Sequence, residues 1–397
     1  MGTVIVLGYR KGIAEAVARR GLDAFHVVVK EKGALAGTPF ARVADLEDAQ
    51  EVLRVVAGAA PDGVVGVVTG HEQGVFSAAL LREHLGLPGD RDWARTLRFR
   101  DKYLQKAALP PGVGRARCAY VGPDAGYGEL AELLGSPFVL KPANGAGSVG
   151  AAAVASEAEF ARHLDRGPGP GGRSGRGRAD AAWVAESFVG GREFNVDGVW
   201  SGGRLLWCAV ARFHERPMAT NTGAVLASQV LSREGNGPFV RRAARLAERA
   251  LGGLGAPDCV FHLEAFEDGG DLVFGECAIR TPGAHHPEIV RLTHGVDLYD
   301  LTVGLALGED PAALLEPKRP EAYFGYVYLR HFPGVELTRA DFEEHFDFHE
   351  LHYPDGPAAA RTGSYGRAGH ALVSAPDDAR LGELVRRIVA FNETGRV

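Results

Sequence analysis

Lys141 leads into the run Lys141-Pro142-Ala143-Asn144-Gly145-Ala146-Gly147-Ser148, directly after the apolar segment Pro137-Phe138-Val139-Leu140. A lysine leaving a strand for a glycine-rich turn brings one positive charge and several backbone N–H groups to a polyphosphate. Further along, Phe261–Phe266 and Leu272–Ile279 flank Glu267-Asp268-Gly269-Gly270-Asp271, a strong hairpin signal. With the turn centred near Gly270, Glu264 lies opposite Glu276. The two-residue period of a strand then puts His262, Glu264, Glu276, Ala278 and Arg280 on one face. Opposed carboxylates repel unless one is protonated or a cation bridges them, and magnesium travelling with a polyphosphate is such a cation. Taken alone, the hairpin fits an exposed turn with solvated acids equally well. The lysine and glycine turn upstream shift the balance towards a metal pair and towards ATP chemistry.

Glu186 and Glu193 stand at either end of a strand-to-strand connector, Glu186-Ser187-Phe188-Val189-Gly190-Gly191-Arg192-Glu193. An extended connector offers N–H and C=O groups to an adenine edge, and a carboxylate just beyond it accepts from ribose hydroxyls. An ordinary loop with surface glutamates is the alternative. The chain has only seven lysines among 44 basic residues, so Lys102 and Lys141 call for an explanation. Cys118, Cys208, Cys259 and Cys277 form no Cys-x-x-Cys pair, which argues for reduced thiols rather than a zinc or disulfide framework. His345, His349 and His352 have helical spacing, but Glu350-Leu351-His352-Tyr353-Pro354 reads as strand into turn and separates them.

The elements that must position these groups follow an α/β pattern. Up to about residue 95, short apolar strands at Val4–Leu7, His26–Val29 and Val64–Thr69 alternate with amphipathic helices. Gly8 and Gly12 make a tight turn without spelling a dinucleotide fingerprint. Asp101-Lys102-Tyr103-Leu104 opens a helix that Pro110-Pro111-Gly112 ends. The glycine- and proline-rich stretch from Gly167 to Arg178 reads as a mobile surface loop. Gly237–Ala250 is a second amphipathic helix, and a last α/β segment begins near Ala322.

The 397 residues exceed one hydrophobic core, so two to four folding units are expected. A net charge of −6 and a pI near 6.2 give no broad electrostatic reason to expect nucleic acid or an anionic membrane as partner. No apolar run approaches the length of a membrane span, and the cytoplasm is the expected location.

Taken in order, these motifs resemble the ATP-grasp superfamily over about residues 96 to 310. The resemblance implies an α/β protein of the ATP-grasp type, with a Rossmann-like N-terminal domain (1–95), an ATP-grasp domain (96–320, lid about 112–187) and a small C-terminal subdomain (321–397). By the same resemblance Lys102 and Lys141 hold ATP phosphates under the loop Gly145, Gly147 and Ser148. Glu186, with the Ser187 to Val189 backbone, meets adenine, Glu193 meets ribose, and Glu264 and Glu276 hold Mg2+, for which Mn2+ can substitute. The family commonly has asparagine two residues after the second metal glutamate; here that position is Ala278, which puts a second fully ligated metal in doubt. Arg280 matches the arginine that stabilises the acyl intermediate in members that ligate amino acids, and His285 and His286 follow where such members line the substrate pocket. The tail Gly363–Val373 with the helix after it resembles the L-amino acid ligase and carnosine synthase branch. The implied activity is ATP-dependent joining of a carboxylate to an amine through an acyl phosphate, in a homodimer.

Three other readings compete. Gly145-Ala146-Gly147-Ser148-Val149-Gly150 matches Gly-x-Gly-x-x-Gly, but Val149–Val154 reads as a strand and Ser156–Glu159 as the cap of a later helix, which disfavours a dinucleotide oxidoreductase. A carboxylating or nucleotide-precursor enzyme of the same fold is the nearest alternative. A non-catalytic ATP-binding regulator needs neither the acidic pair nor Arg280.

Overall fold

In the computed structural model, which describes residues 2–30, 35, 37–167, 182–354 and 366–396, the alternating apolar segments build three sheets. The expected mobile loop lies beyond Gly167 outside the described residues, as do residues 363–365 of the tail.

The N-terminal sheet is parallel, with strands ordered Phe40–Arg42, Asp23–Val28, Thr3–Leu7, Val64–Thr69. Continuous burial of Val4 to Leu7 reflects helices on both faces, which is why the strand reads as an unbroken apolar run. One of those covers comes from far away. Val303 and Ala306 of helix Leu298–Ala306 pack on Val4, Val6, Ile13 and Val17. Arg20 fastens the contact, reaching Asp300 at 2.7 Å and Glu309 at 2.8 Å. Gly12 allows a close approach there, since a Cβ at that position would meet the Tyr299 ring at 2.2 Å.

A small antiparallel sheet joins Cys118–Tyr120, Trp183–Ser187, Phe138–Pro142 and Ala152–Val154 in that order. Its apolar face (Phe138, Leu140, Trp183) packs on Leu130 and Phe160 of two covering helices. These strands fall within residues 112–187, the stretch expected to form a lid. Gly114–Arg115 pairs instead with the large sheet, parallel to Val273 and Phe274.

The large sheet has nine strands, in the order Glu350–His352, Gly369–Ala375, Tyr323–Leu329, Ala227–Val230, Arg204–Phe213, Arg192–Ser201, Cys259–Asp268, Asp271–Ala278, Gly114–Arg115. Helix Arg233–Leu254 covers one part through Phe239, Ala243, Ala247 and Leu251, packed on Phe194, Val196 and Phe261. Helix Asp378–Thr394 covers another through Leu381, Val385 and Ile388. The last three C-terminal strands therefore extend the same sheet that carries the acidic hairpin, because Tyr323–Leu329 pairs directly with Ala227–Val230. His345 ends helix Arg339–His345 while His352 lies in a strand, so the three histidines are carried by different elements. All four cysteines are free thiols. No helix among the described residues is long and apolar enough to cross a membrane.

Candidate active site

The hairpin pairs in the expected register: His262 faces Ala278, and Glu264 faces Glu276. Beyond the pair a bulge between Glu264 and Ala265 re-aims the strand. Above the hairpin lies a cavity of about 870 Å³ between the small sheet and the large sheet. Lys102, Lys141, Gly145, Ser148, Glu186, Ser187, Val189, Glu193, Glu264 and Glu276 all line it. Gly147 lines the adjoining cavity instead.

Contacts from elsewhere in the chain shape the loop. Gly147 and Ser148 have φ of 63° and 58°, the left-handed region that a serine rarely adopts. Asn221, from a distant turn, donates to the Ser148 carbonyl at 2.8 Å and the Ala151 carbonyl at 3.0 Å. Lys102 donates from Nζ to the Gly145 carbonyl at 2.6 Å and lies 3.1 Å from Glu276. Asp101 positions that lysine by accepting the Leu104 N–H at 2.9 Å, which caps helix Lys102–Ala108.

Glu186 is almost wholly buried. Its two oxygens are taken by Lys106 at 2.7 Å and Lys141 at 2.9 Å, so the side chain seats Lys141. Lys106, one helix turn after Lys102, is also buried and donates to the Gly275 carbonyl at 2.7 Å. Burial pulls its pKa down despite Glu186, whereas Lys141 is held above its ordinary value because Glu186 and Glu276 outweigh the same burial.

Three carboxylates meet below the loop. Burial, then the charges of Glu264 and Glu276, push the Glu193 carboxyl well above its ordinary range. Burial opposes ionisation of Glu276 as well, but Lys102 and Lys141 hold it down to about 2. Glu264 has a different partner: His262 Nε2 lies 3.2 Å from its Oε1, and His262 Nδ1 lies 2.5 Å from buried Asp197. Against burial, Asp197 and Glu264 raise the imidazole pKa to about 10, so it is a cation at neutral pH. No cluster of three or more His, Cys, Asp or Glu among the described residues is arranged to hold a metal by itself. The donor set does fit magnesium, which keeps several waters and takes one or two carboxylates together with substrate phosphates.

Towards the open end, the connector after Glu186 runs past Phe188, with the Arg216 guanidinium stacked 4.9 Å from that ring. Arg216 also donates to the Gly190 and Gly191 carbonyls, at 2.6 Å for Gly191. Gly191 has to be glycine, since a Cβ there would meet the Glu267 carbonyl oxygen at 2.0 Å.

A second cavity, of about 1400 Å³, adjoins the first and shares Ala146, Ser148, Glu264 and Glu276 with it. Arg280 lines this second cavity. It contacts Glu72 of the N-terminal domain and donates to the Thr281 carbonyl at 2.8 Å. Glu72 also holds Arg100 at 2.9 Å, and the two guanidinium groups outweigh burial to keep its carboxyl below the usual range. His286 lines the same cavity, buried, 3.2 Å from the Tyr326 hydroxyl, and burial lowers its pKa to about 4. His285 instead stacks on His370 at 4.3 Å.

The structure thus brings the lysines, the loop, the connector and the acidic pair to one cavity, and Arg280 and His286 to the next. Lys106, Asn221, Arg216, Asp197 and Glu72 were not singled out from sequence. Only Lys106 carried a signal, its helical i, i+4 spacing from Lys102 in a lysine-poor chain.

Residues 134–285 match the ATP-grasp domain family. Among solved structures, the chain is similar to the L-amino acid ligase from Bacillus licheniformis, with 18% identity, TM-score 0.72, and 98% of this chain and 97% of that chain covered. It is also similar to carboxyaminoimidazole ribonucleotide synthase from Aspergillus clavatus complexed with ATP, with 15% identity, TM-score 0.74 and 98% of each chain covered. A third likeness is phosphoribosylglycinamide synthetase from Anaerococcus prevotii, with 15% identity, TM-score 0.67 and 98% of each chain covered. A comparison with curated proteins gives no match. At these identities the shared property is the fold.

Proposed function

We propose, from the ATP-grasp domain in residues 134–285, that the protein is an ATP-dependent carboxylate–amine ligase that joins amino acids, or an amino acid and a small carboxylic acid. The observation that carries this reading is the junction of the two cavities. Glu264 and Glu276 stand in register where a cavity lined by Lys102 and Lys141 meets one lined by Arg280.

In this reading ATP is a substrate of the first cavity, with Lys102, Lys141 and the loop Gly145–Ser148 on its phosphates. The connector Ser187–Val189 faces the base, and Glu193 the ribose. Mg2+, held by Glu264 and Glu276 and replaceable by Mn2+, supplies positive charge to the phosphoryl oxygens. A carboxylate oxygen attacks the γ-phosphorus, the bond to ADP breaks, and an acyl phosphate forms. Lys141 offsets charge on the group in transfer. An amine then attacks the acyl carbon, and Arg280 offsets the oxyanion that develops. Phosphate leaves, the nitrogen loses a proton, and an amide remains. Closure of the lid over the loop keeps water from the acyl phosphate.

The test is phosphate release over pairs of amino acids and small acids, with mass spectrometry of the product. Amine-dependent ADP formation with an amide product supports the reading, and ADP release without amine consumption refutes it. The likeness to carboxyaminoimidazole ribonucleotide synthase supports a second reading, a carboxylating ligase. Bicarbonate-dependent ADP release in the absence of an amino acid would select it.

A further inference from the structure

Glu288 differs from the other carboxylates that line the larger cavity in having only a histidine at ion-pair distance, His285 at 3.7 Å, which is beyond hydrogen-bond reach. Glu72 has Arg100 and Arg280, Glu276 has Lys102 at 3.1 Å, and Glu264 has His262 at 3.2 Å. Glu288, in the first turn of helix His286–His294, has no lysine or arginine nitrogen within 4.0 Å among the described residues. Its Oε1 accepts the Tyr299 hydroxyl at 3.0 Å. Its Oε2 is buried without a hydrogen-bond partner, 3.7 Å from His285 Nδ1. The side chain keeps 29% exposure and lines the cavity beside Tyr299, Tyr328, Arg10 and Arg367.

Burial opposes ionisation of this carboxyl, but His285 and Tyr299 outweigh it and hold it below its ordinary range. An ionised carboxylate at a cavity wall, beyond pairing distance of any fixed lysine or arginine, is matched by a cation that arrives with a ligand. The Tyr299 and Tyr328 rings that line the cavity beside it suit an organic ammonium, whose charge an aromatic face also attracts.

We propose that Glu288, with Tyr299 beside it, docks the ammonium group of the carboxylate substrate and so selects amino acids over the same acids without nitrogen. This rests on the ligase reading for which cavity holds the acid. The chemistry gives the assignment a direction. A nitrogen held as ammonium has no lone pair and cannot attack, so the docked group belongs to the acid being activated, and the attacking amine comes from the other substrate. Arg367, stacked 4.1 Å from the Tyr328 ring, and Arg10, which donates to the Pro282 carbonyl at 2.6 Å, line the same wall and supply the opposite sign of charge for anionic groups.

The test is calorimetric binding of each proteinogenic L-amino acid and its desamino acid to the full chain, with and without a non-hydrolysable ATP analogue and magnesium. At least one amino acid should bind the wild type about tenfold or more tightly than its desamino partner, as expected for a charge-assisted hydrogen bond. Glu288→Gln should erase that preference and leave affinity for the ATP analogue unchanged. Glu288→Asp should reduce it, and serves as the test if the glutamine variant fails to fold. The proposal is overturned if the wild type prefers no amino acid over its desamino partner, or if the preference survives in Glu288→Gln or, where that variant does not fold, is undiminished in Glu288→Asp. A wild type that shows the preference yet forms no amide refutes the ligase reading and leaves the Glu288 site standing.

Discussion

Lys141 and Lys106 share one carboxylate, and replacing each in turn separates binding from folding. With both lysines protonated, the buried group Lys106–Glu186–Lys141 carries one net positive charge, and of the two lysines only Lys141 lines the cavity. Lys141→Met should therefore remove the charge offered to phosphate, while Glu186 keeps Lys106 at 2.7 Å. A charge-assisted phosphate contact is worth about 1.5–3 kcal/mol, so ATP affinity should fall roughly 10- to 150-fold. Folding should be little affected, because one pair survives. Lys106→Met should do the reverse. It breaks a buried pair in which both partners are almost wholly enclosed and also orphans the Gly275 carbonyl, a loss of about 3–5 kcal/mol in stability. Titration calorimetry with a non-hydrolysable ATP analogue and urea denaturation of both variants measure the two effects. Unchanged affinity in a folded Lys141→Met protein refutes the phosphate assignment. Wild-type stability in Lys106→Met refutes the reading that Lys106 stabilises the fold by bridging Glu186 and the Gly275 carbonyl.

Three further outcomes follow from the same geometry. Glu276→Gln should abolish magnesium-dependent turnover while Lys102 stays anchored on the Gly145 carbonyl at 2.6 Å; normal ADP formation at low magnesium in this variant would sink the metal assignment. Arg280→Ala should lower the amide-forming rate by about 10²–10³, with poor rescue by lysine, and should fold because Glu72 keeps Arg100 at 2.9 Å; product formation at the wild-type rate in rapid-quench measurements contradicts it. His286 has a folded pKa of about 4, below its unfolded value, so the unfolded chain takes up the extra proton first. Stability from this group is complete above about pH 6.5 and is lost as pH falls towards 4, by up to about 3 kcal/mol. His286→Gln should flatten that part of the stability profile, and identical urea midpoint shifts between pH 7 and 4.5 in the two proteins would refute it.

What could be read from the sequence was whatever depends on local period. The hairpin and its glycine turn are legible from the two-residue repeat, although the turn pairs Asp268 with Asp271 and a bulge at Gly275 is what completes the register of Glu264 with Glu276; Asp101 announces the helix that presents Lys102. The partners of these groups were hidden, because nothing local marks them. Glu186 reads as the adenine-facing end of a connector, yet one of its oxygens is taken by Lys141 and the other by Lys106 from a helix packed beneath the hairpin. Asn221 sits in a short turn like any other polar residue, and only the approach of that turn to the lid makes it a brace for the loop. The C-terminal strands looked like a separate unit because an apolar strand does not reveal which edge it will join.

The acidic pair shows how such hidden partners change a physical argument. From sequence, two opposed carboxylates call for protonation of one of them or a bridging cation, and the resemblance marks Ala278 as the loss of one candidate ligand. In the folded chain each carboxylate already has its own cation, Lys102 at 3.1 Å from Glu276 and protonated His262 at 3.2 Å from Glu264. His262 stands directly across from Ala278, and Asp197 behind it keeps the imidazole charged. Repulsion across the hairpin is thus offset by the protein's own side chains, and the hairpin's folding places no demand on a metal. The two carboxylates remain exposed to the junction of the cavities, where a magnesium ion arriving with phosphate meets acids that are positioned before it binds.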